Sequence, residues 1–123
     1  MTQGAPAPRR WTSSTGTAAL EGGPDGVRVV LSGEVDGALA TEALPDLVAR
    51  VGQGSGPLVV DVTGSTFLDS QGIALLVHVV RAAPGDARVL ATEDARLLLE
   101  LVGLERVVPV EYHGPGDERR PAG

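Results

Sequence analysis

The stretch that decides the fold is Leu58–Val80, LVVDVTGSTFLDSQGIALLVHVV. It opens with Leu58–Val62, a short and almost continuous apolar run, which is typical of a central strand covered on both faces of a sheet. After a loop, the spacing of apolar residues predicts a helix from Gln71 to Ala83, which Pro84 and Gly85 end. A buried strand followed by a helix is the unit from which α/β sheets are built.

The flanking sequence supplies further strands and helices. Upstream, two strand-like runs at about Thr15–Glu21 and Val27–Ser32 are separated by a Gly- and Pro-rich turn, and this pattern predicts a hairpin. A helix is predicted over Thr41–Val51, and we expect it to start close to Pro45, because proline is tolerated only in a first turn. Downstream, the predicted elements are a strand at Arg88–Ala91, a helix at Asp94–Val102 with Gly103 as its C-cap, and a strand at Val107–Glu111.

Strands that alternate with helices predict one α/β domain, with a mixed, mostly parallel sheet of about five strands and α-helices packed against it. The 123 residues suit a single domain of this kind. Both ends are rich in Pro, Gly and Ala, so residues 1–12 and 113–123 are predicted to be flexible tails around a domain at 13–112.

The composition excludes several classes of function. The chain carries 16 acidic and 10 basic residues, the latter all Arg, and its formal charge of −6 disfavours binding to nucleic acid. It has no Cys and only two His, so thiolate chemistry, disulfides and a His-rich metal site are not expected. No apolar run approaches the roughly 20 residues of a membrane-spanning helix, and no apolar leader opens the chain. We therefore expect a cytoplasmic protein without membrane insertion.

Asp69 and Ser70 lie where the loop meets the predicted helix, at or near its N-cap. A helix start carries free N–H groups and partial positive charge, so a phosphoryl group on Ser70 would be well placed there. On this local pattern alone, a serine that merely caps the helix is the simpler interpretation. A hydrolase is not expected, because His78 lies about 12 Å from Ser70 along the same helix and cannot act as its base.

Four motifs, in the same order, resemble the STAS domains of the anti-sigma factor antagonist family. They are LSGEVD at Leu31–Asp36, like the family's L-x-G-E-[LV]-D; LVVDV at Leu58–Val62, like its central strand; FLDSQGI at Phe67–Ile73, like F-[ILM]-D-S-[SA]-G-[ILV]; and LLELVGL at Leu98–Leu104, like L-x-x-x-G-L. The resemblance covers about 27–110, nearly the whole predicted domain. Gln71 departs from it, because the family more often has Ser or Ala there, and its larger side chain is expected to influence partner or kinase choice.

The resemblance implies a switchable binding protein rather than an enzyme. In that family, an anti-sigma factor that is also a serine kinase phosphorylates the serine that corresponds to Ser70. The unphosphorylated protein binds the anti-sigma factor and frees the sigma factor, and a protein phosphatase restores that state. No cofactor is implied, since the ATP belongs to the kinase. STAS domains also serve as scaffolds in stress-signalling assemblies and as accessory subunits of membrane transport systems, and this alternative stays open.

The predicted partner surface centres on the start of the helix that follows Ser70. Its members are Asp36, Asp69, Ser70, Gln71, Gly72, Leu75 and Val79. Asp36 ends a strand, so we expect it at the same sheet edge as Ser70, with a turn-capping role as the alternative. Leu75 and Val79 lie opposite the helix face predicted to enter the core, and they are predicted to form an exposed docking patch unless another element covers them. Asp61, inside the central strand, is predicted to be structural.

Overall fold

The computed structural model describes residues 7–23 and 25–114, so residues 1–6 and 115–123 of the predicted tails lie outside the described ranges. Within those ranges, the strands and α-helices are β1 (Arg9–Thr12), β2 (Gly16–Gly23), β3 (Gly26–Val35), α1 (Gly37–Gln53), β4 (Leu58–Leu68), α2 (Ser70–Ala82), β5 (Ala87–Thr92), α3 (Arg96–Leu101) and β6 (Val110–His113). Two short 3-10 helices, Glu93–Ala95 and Leu104–Arg106, flank α3. The predicted α/β class is confirmed, with six strands in the described ranges.

All six strands form one sheet in the order of the chain, from β1 to β6. The strands β1, β2 and β3 are antiparallel neighbours, which confirms the predicted hairpin, whereas β3, β4, β5 and β6 are parallel. Each parallel connection steps in the same direction, and right-handed crossovers then place the helices on one face of the sheet. The carboxyl ends of β3 and β4 lie side by side, with Val35 paired with Leu68.

The core lies between that face of the sheet and the helices. Every second residue of the central strands points into it; Val29, Val60 and Val89 are aligned across β3, β4 and β5 and are fully buried. Helices α1 and α2 also pack against each other. Because aromatic residues are scarce, the core is built mainly from Val, Leu and Ala.

The opposite face of the sheet is only half-buried, so the prediction that Leu58–Val62 is covered on both faces is wrong. Val59 and Asp61 alternate with the buried residues of β4 and point away from the core. Asp61 pairs there with Arg28 of β3, and a second cross-strand ion pair joins β5 to β6. The aliphatic stems of such arginines shield apolar surface while their charged ends stay in water.

Residues 9–12, assigned from the sequence to a flexible tail, form the edge strand β1. Trp11 is buried there, with 7% of its surface exposed, and its Nε1 donates a hydrogen bond of 3.2 Å to Asp46 in α1. Arg9 pairs with the same carboxylate at 2.9 Å. Burial of the large indole ring stabilises this strand, an effect that the surrounding Pro- and Ala-rich composition does not reveal.

Helix α1 begins at Gly37, two turns before Pro45, so the prediction that it starts close to Pro45 is wrong. Asp36 caps this earlier start. The extra turns bury Leu39 and Ala43 in the core. That burial and the cap outweigh the interior proline, whose penalty is about 3 kcal/mol.

The helix predicted over Asp94–Val102 is shorter in the structure, where a 3-10 turn precedes the six residues of α3. Gly103 follows with a φ of 77°, the left-handed conformation in which helices commonly end, and this confirms its predicted C-cap role. None of the helices in residues 7–23 and 25–114 is long and apolar enough to span a membrane.

Candidate functional site

Two helices begin side by side at one edge of the sheet. The paired strands β3 and β4 both end there, and each leads into a helix through a single aspartate, Asp36 before α1 and Asp69 before α2. Asp36 accepts a hydrogen bond of 3.2 Å from the Leu39 N–H. Asp69 accepts one of 2.8 Å from the Gly72 N–H. Asp36 thus lies at the same edge as Ser70, as predicted. It also has a capping role, which was the alternative given for it from the sequence.

Ser70 is the first residue of α2, and its side chain is exposed. Because Asp69 supplies the cap, the interpretation that Ser70 merely caps the helix is wrong. Within the described part of the chain, the Ser70 hydroxyl has no hydrogen-bond partner. The backbone N–H groups of Ser70 and Gln71 belong to the first helical turn and have no acceptor within the helix. An exposed hydroxyl therefore lies directly beside two donors and the positive end of the helix dipole.

Gly72 sets how closely α2 approaches the end of β3. A Cβ atom at this position would overlap the carbonyl oxygen of Val35 and would lie 3.1 Å from the Leu68 Cδ1. The same carbonyl accepts a hydrogen bond of 3.4 Å from the Asp69 N–H. Gly72 is itself buried, so its contribution to the predicted partner surface is to position Ser70 rather than to be touched.

Gln71 lies across the start of the neighbouring helix. Its Oε1 is 2.6 Å from the place where a Cβ atom on Gly37 would be, so Gly37 leaves the space that the longer side chain occupies. The smaller Ser or Ala that is more usual in the resembling family could not reach across in this way. The side chain of Gln71 is also exposed beside Ser70, and it therefore shapes the surface between the two helix starts.

Carboxylates dominate the charge at this edge. Glu34, Asp36 and Asp69 are all partly exposed, and among the described residues none of the three forms an ion pair. The helix starts add partial positive charge only close to the backbone. A molecule that approaches Ser70 therefore meets a negative field first and the amide donors at contact.

Phe67 is an exposed part of this site that the sequence analysis did not single out. It has 52% of its surface exposed and lies three residues before Ser70. A groove of about 170 Å³ separates it from the start of α3, where Ala95 and Leu98 form the opposite wall. Two irregularities interrupt the register between β3 and β4 before Phe67 is paired with Glu34. Because such irregularities shift the alternation of a strand, counting residues from Leu58 could not have found the outward position of Phe67.

The docking patch predicted from Leu75 and Val79 is wrong. Both side chains are buried, with exposed fractions of 1% and 0%. Helix α1 packs against α2, so α2 buries a broad arc on both the sheet side and the α1 side. The alternative that another element covers this face is the correct one, and the exposed residues of α2 include Ala74, His78 and Arg81.

Asp61 has the structural role predicted for it. One oxygen pairs with Arg28 at 2.6 Å, and the other accepts hydrogen bonds from the backbone N–H and the hydroxyl of Thr63. These contacts tie β3 to β4 and shape the chain after the central strand. His78 is exposed on α2, two turns from Ser70, and does not complete a catalytic pair with it.

Known proteins resemble this chain in both sequence and fold. A protein-family model described as "Mlab, STAS domain" matches residues 18–109, which is 92 of the 123 residues. The crystal structure of an anti-sigma factor antagonist from Mycobacterium paratuberculosis is similar, with a TM-score of 0.71 and 26% sequence identity. The match covers 86% of this chain and 92% of that chain. No curated protein sequence matches this chain.

Proposed function

Because this chain belongs to the STAS domain family, we propose that it is an anti-sigma factor antagonist switched by phosphorylation of Ser70. When Ser70 is unphosphorylated, the protein binds an anti-sigma factor that is also a serine kinase, and the sigma factor is set free. Phosphorylation by that kinase ends the binding, and a protein phosphatase restores it. The similarity to an anti-sigma factor antagonist supports this role.

The observation that carries the proposal is the accessibility of the Ser70 hydroxyl. Asp69 caps the helix through the Gly72 N–H, while Ser70 is exposed and its Oγ is not engaged by any described residue. A kinase can therefore reach this oxygen without unwinding α2. The domain itself tolerates the product, since a phosphoryl group at this position meets free amide donors and the helix dipole.

The switch acts through charge at the partner surface. A phosphoryl group adds about −1.5 to −2 charge, which takes the formal charge of the chain from −6 to near −8. The added charge is concentrated beside Asp69, at an edge that already carries Asp36 and Glu34. Repulsion and desolvation at a docked interface oppose binding, and about 1.4 kcal/mol already lowers affinity tenfold.

The proposed partner surface is revised by the buried residues. Asp36, Asp69, Ser70 and Gln71 remain in it, and Phe67 joins them as its exposed apolar member. Exposed aromatic side chains commonly anchor protein interfaces. Because the surrounding side chains are acidic, the complementary surface of the anti-sigma factor is expected to be basic near its contact with Ser70.

The proposal gives this chain no catalytic step and no cofactor of its own. The kinase supplies the ATP, and the phosphatase supplies the hydrolytic chemistry. All three components are expected to meet in the cytoplasm, where sigma factors act. This chain then contributes a surface with two states.

The test is to incubate the full chain with candidate anti-sigma serine kinases and ATP and to map the modification by mass spectrometry. We expect one added phosphoryl group on wild type, none on Ser70→Ala, and one on Ser55→Ala, in which another exposed serine is removed. In a binding titration, Ser70→Asp should bind the cognate anti-sigma factor at least tenfold more weakly than wild type. Modification at another residue, or unchanged binding by Ser70→Asp, would contradict the proposal.

The alternative of a STAS scaffold or an accessory subunit predicts different binding partners for the same chain. Affinity purification of the chain would then recover a stress-signalling assembly or a membrane transport system. Recovery of such a complex, equally with wild type and Ser70→Ala and without an anti-sigma kinase, would favour the alternative.

A further inference from the structure

The described residues include five large apolar side chains that are exposed. They are Phe67, Leu97, Leu101, Val102 and Val107. Four of these five lie on α3 and the turn that follows it. Leu97 and Leu101 are one helical turn apart, and with 69% and 74% of their surfaces exposed they are the most open of the set. Side chains four residues apart share one helix face, so α3 presents an apolar ridge to the outside.

This ridge is not needed for the fold. The inward side of α3 is provided by Leu99, which is fully buried, and by the partly buried Leu98. A helix that is apolar on its outer face as well as its inner face is typical of one that is covered by another protein surface. We therefore expect another protein surface, which the single chain does not provide, to cover this ridge.

The charges that border the ridge indicate which occupant fits. Arg96 is paired with Glu93 and Glu100 along the helix, and Glu105 accepts a hydrogen bond from Tyr112. Two bordering charges have neither an ion-pair partner nor a side-chain hydrogen bond among the described residues. They are Asp94, just before α3, and Arg106, just after it.

These two free charges have opposite sign and lie at opposite ends of the ridge. Asp94 borders the groove beside Phe67. The Arg106 Cδ lies 3.8 Å from the place of a Cβ on Gly103, so its stem folds back toward the end of α3. A uniformly cationic partner would match the overall charge of −6, but it would place like charge against Arg106.

We propose that the ridge formed by Leu97 and Leu101, together with the exposed Val102 and Val107 that follow it, docks a second copy of this chain, with the two α3 helices antiparallel. In a two-fold interface a residue i of one copy faces residue j of the other, and j faces i in return. Antiparallel pairing lays the leucines of both copies together. It also brings Asp94 of each copy toward Arg106 of the other, so the dimer has two such charge pairs.

The expected dimer is weak. Each copy contributes four apolar side chains to it, and interfaces much smaller than about 1,200 Å² of total buried surface belong to the transient class. The charge of −6 on each copy adds long-range repulsion, which salt screens. Self-association should therefore be concentration-dependent.

The test is sedimentation velocity of the full chain over a wide concentration range. Wild type should shift from the mass of one 12.6 kDa chain toward twice that mass as the concentration rises. Leu101→Ser should weaken self-association at least tenfold, and so should Leu97→Ser. Ala49→Ser is the control, because this residue is exposed but lies on α1, and it should associate as wild type does. Thermal unfolding of each variant at low concentration checks that the exposed substitutions leave the fold intact.

Exchanging the charges of Asp94 and Arg106 distinguishes the two-fold arrangement from non-specific association. Asp94→Arg alone and Arg106→Asp alone should each weaken association, whereas the double variant Asp94→Arg/Arg106→Asp should regain wild-type association. A wild-type chain that stays monomeric at the highest concentration overturns the proposal, and so does a double variant that is not restored. If the leucine variants lose anti-sigma factor binding with self-association unchanged, the ridge belongs to that other protein and the proposal is again overturned.

Discussion

The carbonyl oxygen of Val35 occupies the space that a side chain on Gly72 would need. This approach joins the end of β3 to the first turn of α2 and so determines where Ser70 is presented. The neighbouring Asp69 N–H donates to the same oxygen at 3.4 Å. The glycine of the motif is therefore explained by a backbone contact with a strand that lies far away in the sequence.

Gly72→Ala should destabilise the domain by about 1–3 kcal/mol, because the added methyl group must displace backbone rather than a flexible side chain. The measurement is urea-induced unfolding. Gly52→Ala is the control, since its nearest neighbour, the Ala82 carbonyl oxygen, is 3.7 Å from the new Cβ, and alanine in a helix is then favoured by about 0.5–1 kcal/mol. Equal stabilities of the two variants would show that the approach of Val35 imposes no constraint.

Leu75→Ala should act on stability rather than on partner contact. The side chain is buried, with 1% of its surface exposed, and removal of buried leucine atoms usually lowers the free energy of unfolding by about 2–5 kcal/mol. His78→Ala, on the exposed side of the same helix, should stay within about 0.5 kcal/mol of wild type. Urea-induced unfolding of both variants tests this expectation. A Leu75→Ala protein as stable as His78→Ala would mean that the Leu75 face of α2 is exposed to solvent.

Acid should loosen β1 through Asp46. Burial raises the pKa of this carboxyl, but the hydrogen bond and charge of Arg50, the charge of Arg9 and the hydrogen bond from Trp11 outweigh it and leave the pKa below its ordinary value. A carboxyl whose pKa is lowered by folding stabilises the protein above the ordinary carboxyl range. That stabilisation is lost as the pH falls through the lowered pKa.

Trp11 reports this change directly, because it is the only tryptophan of the chain. Its fluorescence should shift toward that of an exposed indole on acidification. In Asp46→Asn the acid-dependent part of the shift should disappear, whereas Asp94→Asn should behave as wild type does. A wild-type emission spectrum that does not change down to the acid limit of folding would rule out the role assigned to Asp46.

Tyr112 should ionise far later than a free tyrosine. Burial, the hydrogen bond to Glu105 and the charges of Glu105 and Glu100 raise its pKa to about 12, against the opposing charge of Arg96. Because the folded-state pKa lies above the ordinary value of 10.0, this group contributes its full stabilisation below that pH and loses it as the pH rises toward 12. The ultraviolet absorbance of tyrosinate measures the midpoint, since the chain has one tyrosine. Glu105→Gln should lower the midpoint and Glu21→Gln should not; a wild-type midpoint near 10 would contradict the packing described for this ring.

Much of the architecture could be predicted from local patterns. The alternation of apolar residues in β3 and the apolar run of β4 identified the central strands, and the helical spacing after Ser70 identified α2, because these patterns depend only on which neighbours share a face. The order of the motifs identified the family. The position of Asp36 and Ser70 at one edge followed from parallel strands that end together.

The wrong predictions, of a tail at residues 9–12 and of a helix that starts close to Pro45, have a common cause. Both depend on contacts between distant parts of the chain. Trp11 turns a tail-like segment into β1 only because α1 offers Asp46 as its hydrogen-bond partner. The interior proline of α1 is tolerated only because Leu39 and Ala43 find a core to enter. Neither effect is visible in the composition of the segment concerned.

For this protein the sequence by itself determined the α/β class, the family and Ser70 as the candidate switch, since each rests on residues adjacent in the chain or in register with one another. The tertiary structure decided which surfaces remain open. It buried Leu75 and Val79 beneath α1, left Phe67 and the outer face of α3 exposed, and assigned the cap to Asp69 so that Ser70 stays free. The physical reason is that exposure depends on what packs against a side chain, and residues remote in sequence supply that packing.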